Sequence, residues 1–270
     1  MPDLFEPLQY AFVQRAILGS VLVGIVCAAI GVFVVLRGLA FLGDAVAHAA
    51  FPGVVIAFLL GANLIIGGMV AAVLAAVAMG GLSRRGVIRE DTAIGVVFSG
   101  MFALGIVLFS GIKTYTGDLL GILFGNVLGV TDTQLALAAV TSLVIVLVLR
   151  YWWRQFIFVS FDPVGASAAG LSSVRYDTVL MGLIGLTVAV SVQIVGIVLV
   201  VAMLVTPAAA ARLLSRDLRS FVALATVFAL SASLLGMWVS YFGNVASGGA
   251  IVLVATAEFT IVWVAHQLRA

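Results

Sequence analysis

Nine apolar runs of bilayer-crossing length follow one another through this 270-residue chain, with short polar breaks between them. A helix needs about 20 mainly apolar residues to span the hydrocarbon core of a membrane. On that ruler the spans fall at residues 12–36, 40–61, 62–82, 92–111, 132–152, 178–194, 196–211, 220–242 and 249–267. These runs far exceed the roughly 10-residue alternating strands of a membrane barrel. The expected fold is an all-α polytopic bundle, one transmembrane domain over residues 1–270, with nine spans or with eight if one stretch is re-entrant.

The arginines set the orientation. Arg84, Arg85 and Arg89 lie between spans three and four, Arg150, Arg154 and Arg175 flank the segment after span five, and Arg212, Arg216 and Arg219 follow span seven. Basic residues in short loops stay on the cytoplasmic side. For all three groups to share that side, the stretch from 178 to 211 must cross twice, with Gln193 to Gly196 as the outer turn. Nine crossings then put the N-terminus outside and Arg269 inside. The start of the chain carries Asp3 and Glu6 against the single Arg15, and its apolar run is too long for a cleavable signal, so it is expected to be retained. The one cysteine, Cys27, permits no internal disulfide and reads as a small buried apolar residue.

Only 9% of the residues are charged and 64% are hydrophobic, so an ionisable side chain inside a span stands out. Each one near mid-bilayer costs about 2.5–3.5 kcal/mol on insertion scales, which makes it a candidate for function. The run from Gly38 to Gly53 holds Asp44 and His48, four residues apart and therefore on one face of a helix. A carboxylate and an imidazole so placed are two metal-ligand groups; pairing with each other, or with Arg37, is the competing structural role. Pro52 and Gly53 close behind favour a broken helix whose freed carbonyls face a passing cation. Glu258 is the other acid deep in a span, either on an ion path or as a paired or protonated structural acid. Glu90 and Asp91 read as the cap and dipole partners of span four. Gly117, Gly121, Gly125 and Gly129 form a stripe suited to helix packing in the outer segment 112–131, with Asp118 beside it in water.

Several chemistries find no motif. The chain has no Gly-x-x-x-x-Gly-Lys-Ser/Thr loop for ATP and no His-Glu-x-x-His for an intramembrane metalloprotease. Its second histidine, His266, lies near the end and reads as a membrane-surface residue, so no multi-histidine cluster is available within one chain. The net charge of +2 gives no footing for nucleic acid. A secondary transporter, which would usually show an internal repeat, and a cation channel, for which the glycine-rich outer segment is the candidate filter, remain alternatives.

The run Gly38-Leu-Ala-Phe-Leu-Gly-Asp44-Ala-Val-Ala-His48-Ala-Ala-Phe-Pro52-Gly53 resembles that of the permease subunits of zinc, manganese and iron ABC importers. Asp91 to Ser99, Asp118 to Asn126, Phe161-Asp162-Pro163 with Ala166 to Gly170, and Gly196 to Leu214 resemble the same family in the same order. The resemblance implies an architecture similar to the cobalamin and siderophore importer permeases and a two-fold pair of permease copies, identical or paralogous. It implies an extracytoplasmic metal-binding protein as donor, separate ATPase subunits as motor, and the multi-pass plasma membrane of a prokaryote as location. The chain itself is then a transport subunit and not an enzyme. It holds no permanent cofactor, and the transported ion is manganese, zinc or iron.

By the same resemblance Asp44 and His48 line the translocation path. Two copies would then offer two carboxylates and two imidazoles, enough for a four-coordinate site. Oxygen with imidazole suits intermediate divalent ions, whereas thiolates would lean to zinc or copper. Two cytoplasmic segments can meet the ATPase. Phe161-Asp162-Pro163 to Gly170 has a helix-start signal followed by small residues and is expected to be the coupling helix. The segment from Pro207 to Phe221, with Arg212, is expected to give a supporting contact.

Overall fold

The computed structural model describes residues 9–84, 88–112 and 129–268. Among these the regular elements are all helices: α1 (Ala11–Leu36), α2 (Leu42–Ala49), α3 (Phe51–Leu59), α4 (Leu64–Ser83), α5 (Glu90–Ser110), α6 (Asp132–Tyr151), α7 (Trp153–Phe161), α8 (Pro163–Ala168), α9 (Ser173–Val195), α10 (Ile197–Leu214), α11 (Leu218–Gly243) and α12 (Ser247–Gln267). Nine membrane-crossing candidates result among the described residues, with α2 and α3 together making the second and α7 and α8 too short to cross. The all-α, nine-span expectation holds. Of the outer glycine stripe, Gly117, Gly121 and Gly125 lie outside the described residues, as do Asp118, Arg85 and Arg269.

Polar residues at the helix ends explain where the spans start. Asn63 accepts the backbone N–H groups of Ile65 and Ile66 at 2.9 and 3.2 Å and opens α4. Thr131 and Gln134 form a reciprocal capping box ahead of α6, and Asp217 with Ser220 forms another ahead of α11. The outer turn expected at Gln193 to Gly196 falls at Gly196 itself. Its φ of +82° would strain a side chain, and the helix stops there and restarts as α10. The sixth span begins at Ser173 rather than 178, because Asp177 is neutralised by arginines and need not be left outside the helix. At α5 the cap differs from expectation. Arg89 holds the N-cap position without a side-chain bond, and Glu90 and Asp91 sit in the first turn, where the helix dipole favours them.

The contacts sort into two compact units. One holds α1 as far as Val35, the beginning of α6 up to Ser142, and the chain from Ser191 onward. Within it α10, α11 and α12 pack on one another. The Cys27 thiol is fully buried there, 3.6 Å from the Ser191 hydroxyl. The other unit runs from Leu36 through α5 and resumes from Leu143 to Val190. In it α3, α4 and α5 pack together and α2 lies against α4 and α5. Gly53 on α3 and Gly67 on α4 face each other so closely that a methyl on either would run into the other's carbonyl. Lipid tails supply no apolar drive for helices to associate, so small residues that bring backbones into contact do that work instead.

Candidate metal path

The second span is interrupted because Pro52 has no N–H to give the His48 carbonyl, and the helix breaks at Ala50 before resuming as α3. On the first piece, α2, Asp44 and His48 point the same way. Nδ1 of His48 lies 3.5 Å from Oδ1 of Asp44 and 3.0 Å from the Asp44 backbone carbonyl. A carbonyl can only accept, so Nδ1 is the donor of that bond and Nε2 takes no part in it. The His48 side chain is 30% exposed and that of Asp44 48%, so both remain reachable by an ion.

Aromatic rings hold the imidazole. Phe98 and Phe102, one turn apart on α5, meet it edge-on with centroids at 5.7 and 5.6 Å and interplanar angles of 85° and 82°. Phe51 extends this wall by packing on Phe102 and Phe109. These phenylalanines went unnoticed in the sequence; their one signal was the spacing of Phe98, Phe102 and Phe109 on one face of span four, which apolar packing accounts for equally well.

Arg37 is not the partner of Asp44. It pairs with Asp177 and donates to the Ser160 hydroxyl at 3.0 Å. Of the two structural pairings open in the sequence, the one between Asp44 and His48 forms and the one to Arg37 does not. Among the described residues no group of three or more His, Cys, Asp and Glu side chains comes together. One chain therefore brings one carboxylate and one imidazole.

Glu258 belongs to the other unit, on α12. Its Oε2 is buried without a hydrogen-bond partner, and the Ser231 hydroxyl on α11 donates to the Val227 and Phe228 carbonyls of its own helix. It belongs to no group of three or more potential metal ligands among the described residues. His266, near the end of α12, is exposed.

The small-residue segment forms the short helix expected of it. Asp162 accepts the Gly165 N–H at 2.7 Å, Pro163 takes the first position of α8, and Gly170 ends the segment with φ +83°. Phe161 and Val164 are 62% and 79% exposed on this piece, large apolar surfaces on an element that is too short to be buried in lipid as a span. Arg212, close to the C-terminal end of α10, is exposed and lies over the Phe221 ring with its Cζ 5.9 Å from the centroid.

The ABC 3 transport family matches residues 9–266. The manganese transport system membrane protein MntC of Listeria monocytogenes is 44% identical over 254 residues, which cover 94% of this chain and 90% of that protein. The chelated iron transport system membrane protein YfeD of Yersinia pestis is 39% identical over 267 residues, 98% of this chain and 89% of that one. The solved structure of PsaBC from Streptococcus pneumoniae in complex with Fab aligns with a TM-score of 0.84 at 39% identity, over 96% of this chain and 94% of that chain.

Proposed function

Because this chain belongs to the ABC 3 transport family, we propose that it is the membrane-spanning permease of an ATP-driven importer of divalent transition metal ions. Manganese and iron are the favoured ions, since two relatives that cover nearly the whole chain carry those metals in their names. Zinc fits the same donor set. ATP is hydrolysed by a separate subunit, and the ion arrives from an extracytoplasmic metal-binding protein. The setting is the plasma membrane of a prokaryote, which residues 1–270 cross as one permease domain.

One observation carries the assignment of the path: Asp44 and His48 share one turn of a broken span, with Nε2 of His48 turned away from the bond that fixes Nδ1. A partly dehydrated cation passing that turn meets an anionic oxygen and a neutral nitrogen donor. A second permease copy brings the same two groups, which completes a four-coordinate stopping place. The ATPase docks on α8 and the residues around it, Phe161, Asp162, Pro163 and Gly170, where the exposed apolar side chains of Phe161 and Val164 suit a groove in a partner. Arg212 supports that contact from α10.

The test is uptake of Mn²⁺ into liposomes holding the permease with its ATP-binding subunit. Accumulation that needs ATP, and that disappears in Asp44→Ala and His48→Ala while the subunits stay assembled, supports the assignment. Full uptake by the permease alone, or by both variants, overturns it.

A further inference from the structure

Asp177, on the first turns of α9, is 13% exposed at its side chain, accepts a hydrogen bond from Arg37 and forms an ion pair with Arg84. Arg37 bonds Oδ1, and Nε of Arg84 pairs electrostatically with Oδ2 at 2.8 Å. Each arginine is anchored a second time. Arg37 Nε donates to Ser160 at the end of α7 at 3.0 Å, and Arg84 Nη1 donates to the Val174 carbonyl at 2.9 Å and the Thr178 hydroxyl at 2.8 Å. Arg84 Nε also holds the Gly80 carbonyl at the end of its own helix at 3.0 Å. Glu90, at the start of α5, lies within Coulombic reach of Arg37, which brings the local charge to two positive and two negative groups.

Stability alone does not account for such a network. Apolar residues of similar volume hold a buried site as well as an ion pair does, or better, because they need no desolvation. What the ions add is direction. A guanidinium is a planar fork with fixed donor vectors, and a carboxylate with both oxygens engaged by different helices cannot rotate without breaking a bond. The elements so joined are the turn that follows α1, the end of α4, the end of α7 and the beginning of α9. Between the last two runs α8, the exposed helix. From Arg37 a turn of five residues, Arg37 to Phe41, leads straight into α2 with Asp44 and His48. Beside the entry to α2, Leu39 and Leu42 line a small cavity together with Met79 near the end of α4, Met181 of α9 and Glu90 of α5, so the start of α2 shares its surroundings with the joined helix ends.

We propose that Arg37, Asp177 and Arg84 form a strut that carries displacement of the segment from Ser160 to Asp177 to the start of α2, and so ties ATP hydrolysis to release of the ion by Asp44 and His48. These are positioning residues; none of them touches the ion. The proposal rests on the importer assignment above. A rigid strut makes the ratio of metal moved to ATP hydrolysed its measurable property, and a merely structural ion pair would leave that ratio alone in any protein that still assembles.

The experiment measures Mn²⁺ uptake and ATP hydrolysis together in liposomes containing the complete complex and its metal-binding protein. Asp177→Asn, which keeps the shape but weakens both ion pairs, is expected to lower the metal moved per ATP about tenfold, within the usual range of coupling between distant sites. Ser160→Ala removes one anchoring bond, is mild enough to leave folding intact, and is expected to lower the ratio in the same direction by less. Arg84→Lys, which keeps the charge but loses the fork, is expected to fall between them. An unchanged ratio in assembled Asp177→Asn overturns the strut. So does loss of assembly in Asp177→Asn with an unchanged ratio in Ser160→Ala. Failure of the importer assignment looks different: the unsubstituted complex then shows no ATP-dependent uptake at all.

Discussion

Asp44 and Glu258 are both carboxylic acids on membrane-spanning helices, yet their surroundings have little in common. Asp44 is half exposed, lies one turn from an imidazole, and sits on a helix broken by proline. Glu258 lies in an unbroken helix, with one carboxyl oxygen buried and unpartnered. The first arrangement offers a cation two donors and a way in. The second offers one carboxyl, half of it shut away from water and from any donor. An acid in a span is a reason to look, and its neighbours decide what it does.

That contrast can be broken most sharply by alanine at Asp44 and His48, the two proposed ligands. Asp44→Ala and His48→Ala are each expected to reduce Mn²⁺ uptake by more than about a hundredfold, beyond the effect of losing a group outside the ligand shell. Uptake in liposomes measures it. Glu258→Gln is expected to leave uptake unchanged in the same assay, and a loss matching that of Asp44→Ala would put Glu258 on the path. Phe102→Ala keeps both donors but frees the imidazole on one side, and uptake is expected to fall about tenfold, as for other residues that orient a ligand. Restoration by Phe102→Tyr would identify the ring edge as the part that matters. Ser231→Ala removes the hydroxyl that donates to the Val227 and Phe228 carbonyls beside Glu258, which is expected to lower unfolding stability by about 1 kcal/mol in detergent with no change in uptake.

A third acid gives the smallest effect and a reference for the other two. Asp217 lies outside the spans, and the backbone N–H of Ser220 first, then that of Arg219, holds its carboxyl below the usual carboxylate range. A depressed folded pKa means the unfolded chain takes up the proton first. The carboxylate therefore adds stability above its unfolded pKa, and this is lost as pH falls through the lower folded value. Thermal unfolding of Asp217→Asn beside the unsubstituted protein should show a gap at neutral pH that closes in acid. A gap independent of pH would show that the charge is not what the cap supplies.

The spans were legible in the sequence because hydropathy and length together leave little choice in a membrane, and most boundaries agree within two or three residues. The caps were legible only where a side chain does the capping, as at Asp162; at Arg89 the helix starts without one, and nothing local marks the position. For the site, the i, i+4 spacing of Asp44 and His48 and the break at Pro52 could be read directly. The ring contacts of Phe98 and Phe102 could not, nor could the pairing of Arg37 with Asp177 across 140 residues. A single sequence records which groups exist, and long-range partners depend on which helices come to lie together.

The isolated thiol has a practical side. Cys27 is the only cysteine in the chain and is fully buried against Ser191. Maleimide probes need an accessible thiolate, so the native protein should remain unlabelled while folded. A cysteine introduced at an exposed position such as Ser167 would carry the spectroscopic reporter alone, and no native residue would first have to be replaced.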